Sequence, residues 1–207
     1  MEIDGRLDSP SFHRNIAPIT EALGEILGPG PGALLEIGSG SGQHAAHLAR
    51  AMPGWTWWPS ERGADALTSI EAWRAEAGSP NLCAALTLDA AADWVPVVRQ
   101  AGLARADVVF SANVIHISPW EVATGIVRGA AELLSPGGRL IFYGPFREGG
   151  RHTGEGNARF DESLRARDPT WGIRDLGDLS ELTSRHGFGP PEIRQMPANN
   201  RLATFQR

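Results

Sequence analysis

The residues with the clearest chemical potential lie in the stretch LLEIGSGSGQH, residues 34–44, where three glycines occupy alternate positions after an acidic residue. A bare Cα costs conformational entropy and is favoured where a turn or a ligand must approach the backbone. The stretch fails the dinucleotide-binding pattern G-x-G-x-x-G, because counting from Gly38 through Gly40 puts Gln43 at the third glycine position. The spacing therefore predicts a ligand loop of another kind, preceded by Glu36 on a strand.

Glu36 followed by Gly38, Gly40 and Gly42 resembles the first motif of class I S-adenosylmethionine-dependent methyltransferases. The resemblance implies that the methionine end of this cofactor lies on the loop, which also contains Ser39. Loop amides and the N-terminal end of the following helix would receive its carboxylate, and Glu36 would favour its ammonium group. The alternative is a turn that only starts the helix and binds nothing.

Two further acids have the positions that such an enzyme requires. Glu61 follows the strand WTWWPS, where a carboxylate would accept both ribose hydroxyls. Asp89 closes the third strand, in LTLDA, where it would accept from the adenine amino group, with Leu88 and Ala90 covering the ring. Each acid alone is typical of a solvated loop. All three in order favour S-adenosylmethionine as the cofactor.

Three residues near the ends of later strands are candidates for the chemistry. His116 follows the fourth strand and has a side chain whose ordinary pKa suits a general base, although a packed histidine is an equal alternative. Tyr143 ends the fifth strand, where its hydroxyl would orient an acceptor unless it is a core tyrosine. Asn113 is predicted to bond the methionine moiety rather than only hold the turn.

A last group of residues is predicted to bind or enclose the acceptor, through aromatic walls that exclude water and arginines that pair with an anion. Arg14 and Asn15 precede the first helix segment, and the others lie between residues 120 and 174: Trp120, Phe146, Arg147, Trp171 and Arg174. His44 and His47 are three residues apart on a helix without an evident third ligand, so no metal site is predicted.

Strand and helix patterns alternate along the chain and would position these residues. A leading helix begins at PITEALGEILG, and five β-α units follow, with continuous apolar strands that indicate a parallel sheet covered on both faces. Ser118, Pro119 and Glu121 predict a capping box at the helix PWEVATGIVRGAAELL. Residues 145–174 lack periodicity and are predicted to form a lid or insertion before the last helix, which two strands joined at Asn199 and Asn200 follow.

The amino-acid composition excludes several classes of catalytic chemistry and of binding partner. The 207 residues carry a net charge of −5, and none of them is lysine, which excludes a P-loop lysine, a Schiff base and a lysine general base. The acidic balance favours a small-molecule acceptor over nucleic acid. A single cysteine, Cys83, and the lack of a signal peptide or spanning segment predict a soluble cytoplasmic protein without a membrane partner, either a monomer or a homodimer.

Longer phrases carry a second resemblance. ANVIHISPW, FYGPF, NARFDESLRARDPTWGIRDL and MPANN look like the methyltransferase-like 26 family, a domain of unknown function among class I methyltransferases. This resemblance runs from about Asn15 to the C-terminus. It implies an α/β, Rossmann-like fold with a seven-stranded, mostly parallel sheet whose last strand is antiparallel, and helices on both faces. Val114, Glu61 and the residue before Asn157 depart from the family's pattern, and Glu61 changes the reach to the ribose.

The sequence therefore predicts one class I methyltransferase domain over residues 1–207, with a leading helix and cap in 1–30. It would transfer a methyl group from S-adenosylmethionine to a small molecule and release S-adenosylhomocysteine. A non-catalytic module that binds S-adenosylmethionine and regulates or scaffolds a partner is the first alternative. A nicotinamide-dependent oxidoreductase is the second, supported by the fold and opposed by Gln43.

Overall fold

A central seven-stranded sheet organises the computed structural model, which describes residues 5–207. The strands are β1 (Gly32–Ile37), β2 (Trp55–Glu61), β3 (Leu86–Thr87), β4 (Ala106–Ala112), β5 (Leu134–Pro145), β6 (Arg147–Glu148), β7 (Arg151–His152), β8 (Glu192–Met196) and β9 (Asn200–Gln206). The order across the sheet is β3-β2-β1-β4-β5-β9-β8, and β6 pairs only with β7 in a small hairpin. Strands β1 to β5 run parallel, whereas β9 is antiparallel to β5 and to β8.

Helices cover both faces of the sheet. They are α1 (Pro10–Leu27), α2 (Gln43–Ala51), α3 (Ala64–Ala77), α4 (Val95–Gln100), α5 (Trp120–Leu133), α6 (Glu155–Arg167) and α7 (Leu176–Arg185). Successive strand residues point to opposite faces, so Leu34 joins the core beneath α1 and α2 while Leu35 joins the core beneath α4 and α5. Burial on both faces explains the continuous apolar strands and confirms the predicted parallel sheet.

The strand order creates a crevice. Strand β1 lies between β2 and β4, so the chain leaves the carboxyl ends of β1 and β4 in opposite directions along the sheet. Such a reversal of strand order separates the loops at that edge and is where open α/β sheets bind ligands. The loops after β1, β2, β3 and β4 all open onto this edge.

Two local predictions need correction. Helix α1 starts at Pro10 rather than near Pro18, because a proline is compatible with the first turn of a helix and Pro18 is accommodated inside it. The capping box before α5 is wrong: Ser118 donates its hydroxyl to the Val114 carbonyl at 2.7 Å, and Pro119 precedes the helix without a side-chain cap. The hydroxyl is already satisfied by the short 3₁₀ turn Val114–His116.

Residues 145–174 are regular rather than loop-like. They contain the β6–β7 hairpin and helix α6. The buried positions of α6 are Asn157, Asp161 and Leu164, so the helix has the correct spacing but two of its three inward residues are polar. A pattern of apolar residues could therefore not reveal it. Within residues 5–207 no helix is long and apolar enough to cross a membrane.

Candidate cofactor crevice

The loop between β1 and α2 requires its glycines for two different reasons. Gly38, Gly40 and Gly42 have φ angles of 75°, 57° and 86°, in the left-handed region that disfavours side chains. A Cβ on Gly38 would lie 2.3 Å from Cγ2 of Val114, across the crevice edge. A Cβ on Gly42 would lie 2.6 Å from Cα of Ile70, so Gly42 allows α2 to approach α3 and lies outside the crevice lining.

Strand β2 holds the loop in place. The amides of Gly38 and Ser39 donate to the Ser60 carbonyl at 3.1 and 2.9 Å, and the Ser39 hydroxyl accepts from the Ser60 amide at 3.2 Å. The Gly40 amide donates to the carboxylate of Glu61 at 3.1 Å. Among the loop's amides, that of Ser41 has no hydrogen bond to any described residue, so it is the donor left for an anionic ligand.

The three predicted acids line one crevice of about 630 Å³ at the carboxyl edge of the sheet. Glu36 is the penultimate residue of β1, Glu61 ends β2 and Asp89 follows β3. Strand order brings them together although 53 residues separate the first from the last in the sequence. The volume is typical of a small-molecule or cofactor site.

Glu36 is the acid with the unusual environment. Its side chain is buried and accepts a 2.7 Å hydrogen bond from the indole of Trp57. Burial raises the pKa of this carboxyl from 4.5 to about 7, although the bonds from Trp57 and Ser39 act in the opposite direction. A cationic group entering the crevice would restore the charged form, so the site fits an ammonium ligand.

Glu61 and Asp89 are each oriented by the backbone. Glu61 accepts from the amides of Gly40 and Arg62, at 3.1 and 2.7 Å. Asp89 accepts from the Ala91 amide at 3.0 Å. A carboxylate has about four acceptor positions, so both acids keep capacity for ligand hydroxyl or amino groups.

Apolar residues and one asparagine complete the predicted cofactor set. Leu88, Ala90 and Asn113 line the crevice together with the acids. Asn113 has a φ angle of 64°, its amide donates to the Tyr143 carbonyl at 2.8 Å, and a Cβ added to Gly144 would lie 3.0 Å from its Oδ1. Helix α5 approaches the segment after Asp89 closely, because a Cβ on Gly125 would lie only 2.0 Å from the Ala90 carbonyl oxygen.

The chain matches one known protein family and several solved structures. The pattern of a family described as "Protein of unknown function (DUF938)" matches residues 6–207. The chain belongs to the DUF938 family.

The DUF938 chain also has the fold of class I methyltransferases. It is similar to S-adenosylmethionine-dependent methyltransferase SibL in its apo form, with 22% identity, a TM-score of 0.75, and coverage of 95% of this chain and 55% of that one. An O-methyltransferase family protein from Burkholderia thailandensis matches with 17% identity, a TM-score of 0.76, and coverage of 92% and 55%. Human N-acetylserotonin methyltransferase in complex with SAM matches with 15% identity, a TM-score of 0.71, and coverage of 95% and 52%. The DUF938 chain thus spans about half the length of these structures.

The DUF938 structure places His116 behind the crevice rather than in it. The side chain is fully buried, and the Arg174 amide donates to its Nδ1 at 3.3 Å, which leaves the proton of a neutral ring on Nε2. Burial, with the charge of Arg174, lowers its pKa to about 3. Its Nε2 has no hydrogen-bond partner among the described residues and faces Gly144, whose added Cβ would lie 2.6 Å away. This geometry argues against the predicted general base.

Tyr143 is likewise enclosed. Its hydroxyl accepts from the Asn200 amide group at 2.9 Å, and the residue is 1% exposed. The Asn199 carbonyl next to it accepts from Thr153 at 3.3 Å and from Asn157 at 3.2 Å. Residues from three of the sequence phrases that resemble the methyltransferase-like 26 family therefore contact one another here, and they join α6 to the β8–β9 turn. Tyr143 does not line the crevice.

Only one of the residues predicted to bind the acceptor lines the crevice, namely Trp171. Phe146 is buried with its ring 4.9 Å from that of His116, and Arg14 and Asn15 lie on α1 outside the lining. The other three, Trp120, Arg147 and Arg174, line a separate cleft.

The Arg174 guanidinium is committed to the backbone. It donates to the carbonyls of Ile115, Ser118 and Thr170 at 2.8, 2.6 and 2.8 Å. Ser118 lines the crevice, and Thr170 adjoins Trp171, which also lines it. Arg174 therefore joins the two segments that form this wall of the crevice and has little hydrogen-bonding capacity for an acceptor.

The crevice also has lining residues for which the sequence predicts no cofactor or acceptor role: Ser9, Ser11, His44, Ile117, Val122 and Asp168. His44 lies in the first turn of α2, and its ring packs edge-on against that of Phe12, with 5.2 Å between the ring centres. Its Nε2 is buried and has no hydrogen-bond partner in residues 5–207. Burial lowers its pKa to about 4, so it is neutral at neutral pH.

Gln43 connects the segment before α1, which supplies Ser9 to the crevice, to the start of α2. The Gln43 side chain accepts from the Ser9 amide at 2.6 Å and donates to Asp8 at 2.7 Å. The residue that breaks the dinucleotide pattern is thus the one that holds the segment before α1 against the crevice. Groups of three or more side chains suited to metal binding do not occur within residues 5–207.

Proposed function

We propose that the chain is a methyltransferase that takes its methyl group from S-adenosylmethionine and transfers it to a small molecule. We also propose that the chain is related to the methyltransferase-like 26 family, whose phrases its sequence resembles. The observation that carries the proposal is the convergence of Glu36, Glu61 and Asp89 on one crevice beside a left-handed glycine loop. When bound, the cofactor would supply an electrophilic methyl group.

Each part of the crevice suits one part of this cofactor. The raised pKa of Glu36 gives a buried carboxyl that an ammonium group would stabilise in its charged form. Glu61 would accept from the ribose hydroxyls, Asp89 from the adenine amino group, and the loop with Ser41 would receive the carboxylate. Leu88 and Ala90 would cover the adenine ring.

The acceptor would enter beside Ile117, Val122 and Trp171, whose apolar side chains line the same crevice. They would exclude water from the reacting groups, so that water would not compete with the substrate as the methyl acceptor. His44 is the histidine that lines the crevice and would orient an acceptor or the cofactor's carboxylate through its unpartnered Nε2.

The non-catalytic alternative is favoured by one observation. His116 and Tyr143, the two residues with predicted catalytic roles, are both buried outside the crevice lining. A protein that binds S-adenosylmethionine without turnover would need neither. Formation of S-adenosylhomocysteine during incubation with cell extract would distinguish turnover from binding alone.

The first experiment is calorimetric titration of the protein with S-adenosylmethionine and, separately, with NADH. Micromolar binding of S-adenosylmethionine that weakens at least tenfold in Glu61→Ala and Asp89→Ala is expected. Glu162→Ala, on the exposed side of α6, is the matched control and should bind as the parent does. Binding of NADH alone, or binding of S-adenosylmethionine that is unchanged in both crevice variants, would refute the assignment.

Protonation provides a second readout that needs no acceptor. Because Glu36 has a pKa of about 7 and binds an ammonium group best when charged, binding at pH 6 should release a proton. Calorimetry in two buffers with different ionisation enthalpies measures this release. The release should disappear in Glu36→Gln, whereas its persistence there would assign it to another group.

A further inference from the structure

A second cleft, of about 410 Å³, lies between the start of α5, strand β6 and helix α7. It shares no lining residue with the cofactor crevice, from which the wall tied by Arg174 separates it. The cleft is lined by Trp120, Arg147, Arg174, Asp178, Glu181, Leu182 and Arg185. Three arginines against two carboxylates leave an excess of positive charge.

Of the three arginines in this cleft, Arg147 is the one whose side chain has no hydrogen bond or salt bridge to a residue within 5–207. Its Nε is buried without a hydrogen bond to any described residue. The acids beside it in the sequence and in the β-bridge are engaged elsewhere: Glu148 pairs with Arg201 at 2.8 Å, and Asp175 accepts from the Gly150 and Gly177 amides. A half-buried guanidinium without a counter-charge is costly unless a ligand supplies one.

Arg174 adds a second positive charge beside Arg147. The Arg147 amide donates to the Arg174 carbonyl at 2.9 Å, so the two residues are held side by side. The Arg174 guanidinium is stacked 5.6 Å from the centre of the Trp120 ring. Of the cleft's carboxylates, Glu181 already pairs with Arg185, and Asp178 has no salt bridge with a described residue.

We propose that this cleft binds a small organic carboxylate that carries an apolar group. The carboxylate would accept paired hydrogen bonds from the two terminal Nη groups of Arg147, which have no hydrogen bond to a described residue and, unlike Nε, are not buried. The apolar part would lie against Trp120 and Leu182, which form the non-polar walls. The head group must lie at the Arg147 side, away from Asp178.

The test uses benzoate as the probe and benzamide as its uncharged counterpart, titrated into the protein at constant ionic strength. Ligand-observed NMR with competition gives the dissociation constant. Benzoate is expected to bind and benzamide to bind at least tenfold more weakly. Arg147→Gln should weaken benzoate at least tenfold, and Arg151→Gln, in the same hairpin but outside the cleft, should change it less than twofold.

A variant with the opposite expected effect keeps the test independent of folding defects at Arg147. Asp178 is exposed, and Asp178→Asn removes a negative charge from the cleft, so benzoate should bind about twofold to threefold more tightly. Equal binding of benzoate and benzamide, no benzoate binding, or no response to Asp178→Asn would each overturn the proposal. These outcomes do not depend on S-adenosylmethionine, so they are separate from the test of the crevice.

Discussion

The substitution Glu36→Gln isolates the most perturbed group in the crevice. Glutamine keeps a carbonyl oxygen that can accept the Trp57 indole bond, and it removes the ionisation. The difference in the free energy of unfolding between the parent and this variant should therefore depend on pH through Glu36 alone, because every other titrating group is common to both proteins.

The sign and size follow from the pKa values of Glu36. Between pH 4.5, the ordinary value, and about 7, the folded protein holds a proton that the unfolded chain has released. The free energy of unfolding of the parent therefore falls as pH rises through this window. From pH 5 to pH 8 the parent should lose about 2 kcal/mol relative to Glu36→Gln.

Urea unfolding of both proteins at several pH values, followed by tryptophan fluorescence, measures this difference. The linear dependence on denaturant gives the free energy at each pH, and the slopes should agree between the two proteins. A difference that is flat from pH 5 to pH 8 would mean that Glu36 ionises normally in the folded state. The crevice would then offer no special preference for an ammonium group.

Three further predictions concern packing and buried charge. Gly125→Ala should cost about 2 kcal/mol or more of stability because of its contact with the preceding β3–α4 loop, whereas Gly24→Ala, with nothing within 4 Å, should gain up to about 1 kcal/mol; thermal unfolding measures both. Arg174→Met should lower the free energy of unfolding by about 2 to 3 kcal/mol, because three hydrogen bonds to backbone carbonyls are lost. Arg185→Gln, which breaks the exposed pair with Glu181, should change it by no more than about 0.5 kcal/mol; urea unfolding measures both. His116, with a folded pKa of about 3, should make the parent lose about 2 kcal/mol relative to His116→Asn as pH falls from 7 to 5; equal losses would show that this ring is accessible to protons.

The sheet was predictable because its strands are long apolar runs in fixed alternation with helices. Leu34 and Leu35 are both buried, on opposite faces, and such continuous burial is what a parallel strand requires. Helix α6 was missed because its inward positions are Asn157 and Asp161 as well as Leu164. Asn157 donates to the Asn199 carbonyl and Asp161 accepts from the Ile173 amide, and periodicity does not report such partners outside the helix.

The cofactor side of the crevice was also more predictable than the acceptor side. Glu36, Glu61 and Asp89 lie at or just beyond the carboxyl ends of strands whose order is set by the fold, so chain position implied spatial position. His116 comes three residues after Asn113, at the same edge, but a single 3₁₀ turn rotates its ring into the core. Which side of a short turn a ring occupies depends on tertiary packing, which one sequence does not display.

The placement of β9 between β5 and β8 has a consequence for the folding kinetics. Strand β8 precedes β9 along the chain, yet β8 is paired to the sheet only through β9. The β8–β9 hairpin is local, whereas the pairing of β5 with β9 joins residues about sixty positions apart and carries a larger loop-closure cost. The hairpin should therefore form first and dock as a unit. An isolated two-stranded hairpin is only marginally stable, so it protects its amides only once it has docked on β5. In pulsed hydrogen exchange, amides of Ile193 and Ala203 should therefore become protected together, in one late phase.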